Sequence, residues 1–339
     1  MKQIITCIYL LSGIFLYVNG QDNHYRIMFY NTENYFDTFN DSLTRDDDFT
    51  PTGKQFWGKT KFLKKRNNLF KVILALGEGN PPIAVGLCEI ENRYVLNELC
   101  FNTPLRKYNY KIIHYESPDP RGIDVALLYR TDFLKPLFSR AIHVSYSPNP
   151  DFKTRDILYT QILLKQTDTL HLFINHWPSK LSGEQESQPL RDAAALALKT
   201  VTDSIHNYNP NANIIIMGDF NDEPLSYSIS QTLNAKSTDD TLKPKELINL
   251  MAEKTGKEGS HNYQGKWSLL DQIIVSDNLL KNESKLNIYT KQAHIYKAPF
   301  LLIKDFKSLD EKPFRTYSGP RYLGGFSDHL PVWIEIETK

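Results

Sequence analysis

Three cysteines, Cys7, Cys88 and Cys100, are all that this chain of 339 residues carries, and no two of them form a CxxC pair. That excludes a disulfide framework and leaves a structural zinc site without a ligand set. Cys88 closes the apolar run Ile83-Ala84-Val85-Gly86-Leu87-Cys88, where a thiol reads as a small buried hydrophobe. Net charge is nearly absent too: 40 basic against 39 acidic residues leave +1. No global basic field draws the chain to nucleic acid, so any polyanion site must be a local arrangement. Repeats, low-complexity tracts and Gly/Ser linkers are missing, and the 16 Gly and 18 Pro are dispersed, which removes disordered, collagen-like and coiled-coil classes. Also absent are a GxSxG elbow, a P-loop and a GxGxxG turn after a strand, the signatures of serine hydrolases, NTPases and dinucleotide binders.

One extended apolar run stands out, Ile4 to Val18, after the basic start Met1-Lys2-Gln3 and before Val18-Asn19-Gly20. The pattern predicts an export signal cleaved after Gly20. The run falls short of the roughly 20 apolar residues of a spanning helix, and Cys7 lies too early in it for a lipoprotein cleavage site. Cleavage would remove Lys2, bring the basic residues level with the acidic ones, and deliver the chain from Gln21 onward to the periplasm or the extracellular space. No other stretch is apolar enough to span a membrane.

What is present is a packed globule, 41% hydrophobic and 12% aromatic. A prior of about 150 residues per domain suggests two domains, but without a linker the expectation is one domain over residues 21–339. Short β-branched or aromatic runs predict strands at Arg26–Tyr30, Ile83–Leu87, Lys111–His114, Asp124–Tyr129, Leu158–Leu164, Leu170–Ile174, Ile214–Met217, Gln272–Val275 and Leu330–Ile336. Helix-period apolar positions run through Phe56–Leu76 and Pro189–Ile205. Strands that follow one another directly, with a few helices between others, suggest packed sheets with outer helices. Thr38–Gly53 and Tyr296–Gly325 read as long surface loops, a frequent place for function.

The polar residues fall at strand ends: Phe29-Tyr30 runs into Asn31 and Glu33, Val85-Gly86-Leu87 into Glu89, Phe173-Ile174 into Asn175 and His176, Ile215-Ile216-Met217 into Asp219 and Asn221. Asp271 precedes Ile273-Ile274-Val275, and Asp328-His329 precedes Leu330. Singly, each is an ordinary turn former or surface residue. Gathered at one rim of a two-sheet sandwich, they would line a cleft with Glu, Asp, Asn and His. Carboxylate and amide oxygens suit a hard cation such as Mg²⁺ or Mn²⁺, and the histidines with a further Asp supply proton handling and charge stabilisation.

Six blocks carry a resemblance: Tyr30-Asn31-Thr32-Glu33-Asn34, Leu87-Cys88-Glu89-Ile90-Glu91-Asn92, Ile174-Asn175-His176-Trp177, Met217-Gly218-Asp219-Phe220-Asn221-Asp222-Glu223-Pro224, Leu270-Asp271-Gln272-Ile273 and Phe326-Ser327-Asp328-His329-Leu330-Pro331-Val332. Their order resembles the endonuclease/exonuclease/phosphatase superfamily, of deoxyribonuclease I-like type, from Arg26 to Ile336. The resemblance implies an α/β (α+β) fold, a four-layer αββα sandwich of two packed mixed β-sheets with the active site at one end. It implies Glu89 as principal metal ligand with Asn31, Glu33 and Asp328 beside it, holding a divalent ion against a phosphate oxygen. Asp219 would orient or deprotonate the attacking water, Asn221 and His176 would donate to the transition state, and His329, oriented by Asp271, would contact the scissile phosphate. Arg121 and Asn175 are expected to touch substrate.

The implied activity is an exported, Mg²⁺- or Mn²⁺-dependent phosphodiesterase, a nuclease acting on nucleic acid. A sphingomyelinase-like or inositol-phosphate-type phosphatase on a lipid or small phosphoester stays open, although Trp267-Ser268-Leu269-Leu270-Asp271-Gln272 lacks the Cys and Arg of the inositol branch. A silent binding module is the remaining class, and no obligate protein partner is inferred. Lys59, Lys61, Lys64, Lys65 and Arg66 read as a solvated helix face or a polyanion contact, and Trp57 and Trp177 as core or as stacking platforms.

Overall fold

The computed structural model describes residues 23–180, 183–238, 243–305 and 310–339; the segment Met1–Gly20, expected to be a cleaved signal, lies outside them. Apolar runs with little polar alternation form strands that are covered on both faces. Eight strands come first in the chain, the central ones fitting this pattern: β1 (His24–Tyr35), β2 (Ala84–Ile90), β3 (Tyr110–His114), β4 (Asp124–Arg130), β5 (Leu134–Ile142), β6 (Ile157–Leu164), β7 (Asp168–His176) and β8 (Asn213–Asp219). Three helices accompany them, α1 (Lys59–Leu76), α2 (Arg93–Phe101) and α3 (Glu184–Tyr208).

Among the described residues the first sheet runs in the order Leu286–Ile288, Val332–Thr338, β1, β2, β4, β3, and the second β5, β6, β7, β8, Asp271–Ser276, Leu247–Asn249, Ala235–Ser237. Each sheet is mixed and has one long parallel pair, β1 with β2 and β7 with β8. A parallel neighbour requires a crossover; α1 makes it in the first sheet and α3 in the second. The two sheets therefore present the C-terminal ends of two parallel pairs at the same edge of the sandwich.

Alternation sorts the side chains into layers. Ile27, Phe29, Leu172, Ile174, Ile215 and Met217 meet between the sheets. Met28, Tyr30, Val85 and Leu87 point outward to Phe62, Leu69, Val72 and Ile73 of α1, and Phe173, Ile214 and Ile216 to Ala194, Ala195 and Leu198 of α3. This is the four-layer αββα arrangement expected from the sequence. Cys88 and Cys100 are free and buried; burial raises the Cys88 thiol well above its ordinary pKa and takes Cys100 to about 12. Trp57 and Trp177 are core side chains, 0% and 1% exposed, so neither is a stacking platform.

The differences from expectation have local causes. α2 was not foreseen; it is nine residues long and is started by Asn92, whose Oδ1 accepts from the amides of Tyr94 and Val95. α3 begins at Glu184 and holds Pro189 inside it, the lost backbone donor of proline being set against Glu184 and Glu186 in the positive first turn. β5 is an edge strand with few buried positions, and so lacks the hydrophobic signal of the central ones. The described residues of 296–325, expected as a surface loop, include the strand pairs Leu302–Lys304 with Glu311–Pro313 and Tyr317–Ser318 with Arg321–Tyr322. No helix of the described residues is long and apolar enough to cross a membrane.

Candidate active site

The strand ends converge as the sequence predicts. Asn31 and Glu89 come from β1 and β2, His176 and Asp219 from the ends of β7 and β8, Asp271 starts the strand beside β8, and Asp328 and His329 enter the strand Val332–Thr338. Where β1 and β2 reach this edge their register breaks at Asn31/Tyr35, and between β2 and β4 at Cys88/Ile90. Bulges of this kind re-aim side chains. Glu33 (φ 51°), Asn34 (φ 57°), Glu89 (φ 58°) and Asn221 (φ 51°) all adopt left-handed backbone, a strain that collects at functional sites. Gly218 is opposite Asn175 in the β7–β8 pair. A Cβ there would come within 2.5 Å of the Asn175 Cβ, displacing the turn into His176.

Asp219 is the hub. Its Oδ2 accepts from Asn31 Nδ2 at 3.0 Å and lies 3.7 Å from His329 Nε2 and 3.9 Å from His176 Nε2; its Oδ1 accepts from the Asn221 amide at 2.9 Å. Burial raises the Asp219 pKa, opposed by the charge on His329. His329 Nδ1 bonds Asp271 Oδ2 at 2.7 Å, and Asp271 is itself held by Ser260 Oγ at 2.6 Å. Burial pulls His329 toward neutrality, but Asp271 and Asp219 outweigh it and hold its pKa well above the ordinary value: it is an imidazolium. His176 is the opposite case. Burial and the nearby Arg155 and Arg121 push its pKa well below the ordinary value, so it is a neutral ring whose Nδ1 finds no partner and whose Nε2 is 3.9 Å from Glu89 Oε1. One histidine carries charge and the other carries none.

Glu89 Oε2 accepts from the Asn34 amide at 2.8 Å, which fixes the carboxylate and leaves Oε1 toward the cleft. Glu89, Asn31 and Asp328 are hard oxygen donors of the kind Mg²⁺ or Mn²⁺ takes. Two groupings among the described residues, Asp219/Asp271/His329 and His261/Asp328/His329, share a histidine whose Nδ1 is committed to Asp271. The set of Glu89, Asn31 and Asp328, by contrast, offers oxygen donors alone, the type a hard dication takes.

Two expectations are corrected. Glu33 is not a free ligand: its carboxylate accepts from Arg315 Nε at 3.3 Å and the Thr316 amide at 2.6 Å, with Lys65 Nζ at 3.8 Å. Burial and Asp328 push its pKa up to about 7 against the pull of Lys65 and Arg315. Asn175 does not reach the cleft. It is fully buried, donates to the Met217 carbonyl and accepts from Trp177 Nε1, so it locks the β7 end in place. Arg121 is half-exposed beside Asp119, near enough for its charge to act on His176. Asn221 Nδ2 donates to the Trp177 carbonyl at 2.9 Å.

Sequence reasoning missed four supporting residues. Arg155 is buried and donates to the carbonyls of His176 and Trp177 and to Asp119. His261 packs against His329 with ring centroids 4.6 Å apart and the planes tilted by 38°, and burial with the His329 charge lowers its pKa to about 4. Its hairpin, His261–Tyr263 with Lys266–Ser268, turns through Gln264 and Gly265, both at positive φ, a turn the Gln-Gly pair signals. Arg315 Nη2 donates to Asp328 at 2.8 Å. Lys65, taken from sequence as part of a basic face, is 1% exposed and donates to Thr316 Oγ1 at 2.6 Å and the Phe326 carbonyl at 2.7 Å. Lys65→Met would leave Glu33 with Arg315 as its remaining cation and take the lysine donor from the Phe326 carbonyl; removing one partner of a buried ion pair costs about 3–5 kcal/mol. The expected result is a lower urea midpoint, equivalent to a loss of about 3 kcal/mol of stability, and an unchanged midpoint would show that the segment docks without this lysine.

Cavity size does not mark the chemistry: a cleft of about 930 Å³ lined by Asp168, His171 and Asn213 sits at the starts of β7 and β8, the end away from Asp219.

A four-layer sandwich whose two parallel pairs close on one Asp–His–Asn–Glu cluster defines a phosphoester hydrolase architecture. A model of the Endonuclease/Exonuclease/phosphatase family matches residues 26–338, and the chain belongs to that family, whose members hydrolyse phosphoesters. Among solved structures it is similar to D. rerio TDP2 complexed with single strand DNA product (18% identity, TM-score 0.55, 94% of this chain and 100% of that one). It is similar also to the Bacteroides thetaiotaomicron mannosyl-6-phosphatase Bt3783 (16%, 0.54, 92% and 99%) and to the human Nocturnin catalytic domain with bound sulfate anion (16%, 0.54, 94% and 95%). At such identities the likeness is one of fold. Among the curated proteins none matches.

Proposed function

We propose that this chain is an exported, divalent-metal-dependent phosphodiesterase that cleaves nucleic acid by attack of water. The observation that carries the reading is the hub at Asp219 Oδ2, where Asn31, His176 and His329 from three separate elements converge within 3.0–3.9 Å. Glu89, Asn31 and Asp328 would hold the ion, which when bound draws charge from a phosphate oxygen. Asp219, anchored on Asn31 and Asn221, orients the water and takes its proton. His329, kept charged by Asp271, offers Nε2 to the phosphate oxygens as negative charge grows, and neutral His176 adds a donor without adding charge. A silent binding module gives no reason to bury this many unlike titratable groups around one carboxylate oxygen.

The test is a panel with added Mg²⁺ or Mn²⁺ on the chain from Gln21: plasmid DNA, RNA, sphingomyelin, inositol phosphates and bis(p-nitrophenyl) phosphate. Diester cleavage exceeding release of inorganic phosphate from monoesters is expected. Release from monoesters alone would move the protein to the phosphatase branch, in line with a fold neighbour named as a sugar phosphatase. The export half of the reading is checked by N-terminal sequencing of protein from its native host, which should begin near Gln21.

A further inference from the structure

Besides holding Glu33 and Asp328 through Arg315, the described parts of 296–325 build a groove beside the catalytic cluster. Their two strand pairs and the His261–Ser268 hairpin wall a cavity of about 900 Å³ whose lining includes Asn262, Lys304, Lys312, Arg315, Arg321 and Asp328. The cavity opens onto the chemistry: Asp328 precedes the catalytic His329, and His261, next to Asn262, packs against that ring. Among the described residues four cations against two carboxylates, Asp305 and Asp328, line it, a local excess in a chain whose formal charge is only +1. Lys312 is paired with Asp305 at 3.1 Å. Arg315 spends Nε and Nη2 on Glu33 and Asp328. Lys304 and Arg321 are exposed and have no ion-pair partner among the described residues.

We propose that this groove seats a second, uncleaved phosphate, so that the substrate is a polyanionic strand and not a phosphocholine lipid. The inference rests on the phosphodiesterase reading of the adjacent cluster and adds to it where a second phosphate of the strand is held. Arginine and lysine on the groove walls match phosphate oxygens. A quaternary ammonium headgroup needs aromatic faces, whereas here it would meet an excess of positive charge and, among the described residues, one aromatic lining side chain, Tyr263. Tyr263 is 62% exposed and offers a face on which an unpaired base can stack. The groove thereby supplies the local basic arrangement that a chain of balanced charge needs in order to hold a nucleic acid.

The double variant Lys304→Gln, Arg321→Gln tests this, since neither residue touches the cluster. Turnover of bis(p-nitrophenyl) phosphate, which has one phosphate, should stay within about twofold of wild type, while KM for an oligodeoxythymidine rises about tenfold. Fluorescence anisotropy of the labelled oligonucleotide in EDTA, where nothing is cleaved, should show a similar rise in Kd and a salt dependence shallower by about 0.7 per lost contact. An unchanged Kd, or equal losses on both substrates, would overturn the proposal. Wild type that cleaves bis(p-nitrophenyl) phosphate but does not bind the oligonucleotide sinks the groove and spares the phosphodiesterase reading; binding that weakens in the variant, with neither substrate cleaved by wild type, does the reverse.

Discussion

Asp219→Asn is expected to reduce kcat by about 10²–10⁴-fold, the range for loss of a positioned general acid or base, with KM little changed. The substitution is nearly isosteric, yet it acts on three relations together. Asn31 Nδ2 donates to Oδ2 at 3.0 Å, so an amide nitrogen there would oppose donor to donor, and an amide oxygen there would carry no charge to balance His329 at 3.7 Å. Nor can an amide accept a proton from water. Steady-state kinetics with circular dichroism decides the matter. A natively folded variant turning over within a few-fold of wild type would make Asp219 a structural residue, and the water would have to be activated by another group.

Glu89→Gln should be equally severe by a different route. The Asn34 amide can still bond an amide oxygen, so the fold at the bulge should survive, but the cleft loses the charge that makes it a site for a hard dication. Activity should fall by at least about 10²-fold at ordinary metal concentration and recover partly in excess Mn²⁺, and chelation should abolish wild-type activity. Isothermal titration with Mn²⁺ gives a readout that needs no turnover. Full activity of wild type in excess EDTA, or wild-type Mn²⁺ affinity in the glutamine variant, would remove Glu89 from the metal centre.

Much of this arrangement was legible in the sequence because the central strands are buried on both faces. Ile214–Met217 and Leu170–Ile174 read as near-continuous apolar runs, and a polar residue just past such a run has nowhere to be except the rim. The edge strand β5 gave no comparable signal. The supporting residues were illegible for a reason of distance: Arg315 meets Glu33 across 282 positions of chain, and no local pattern encodes such a partnership. Lys65 is different. It follows Phe62 and precedes Leu69 and Val72 on the stripe of α1 that faces the first sheet, so helical periodicity could have separated it from Lys59 and Lys64, which are exposed. Charge counting grouped the five residues where geometry divides them. Glu33 and Asn175 were misassigned because a motif names a residue type and position, whereas their roles follow from what already occupies their oxygens.

The division of labour between the sheets reaches past any single side chain. Asn31, Glu89, Asp328 and His329 belong to the first sheet and its approaches, and His176, Asp219, Asn221 and Asp271 to the second. Two hydrogen bonds between site residues sew the halves together at the cleft, Asn31 to Asp219 and His329 to Asp271, with His329 to Asp219 and His176 to Glu89 as longer approaches across the same seam. Neither half owns the complete set of groups. The catalytic unit is the seam itself, and it comes into being only when the inter-sheet core has closed.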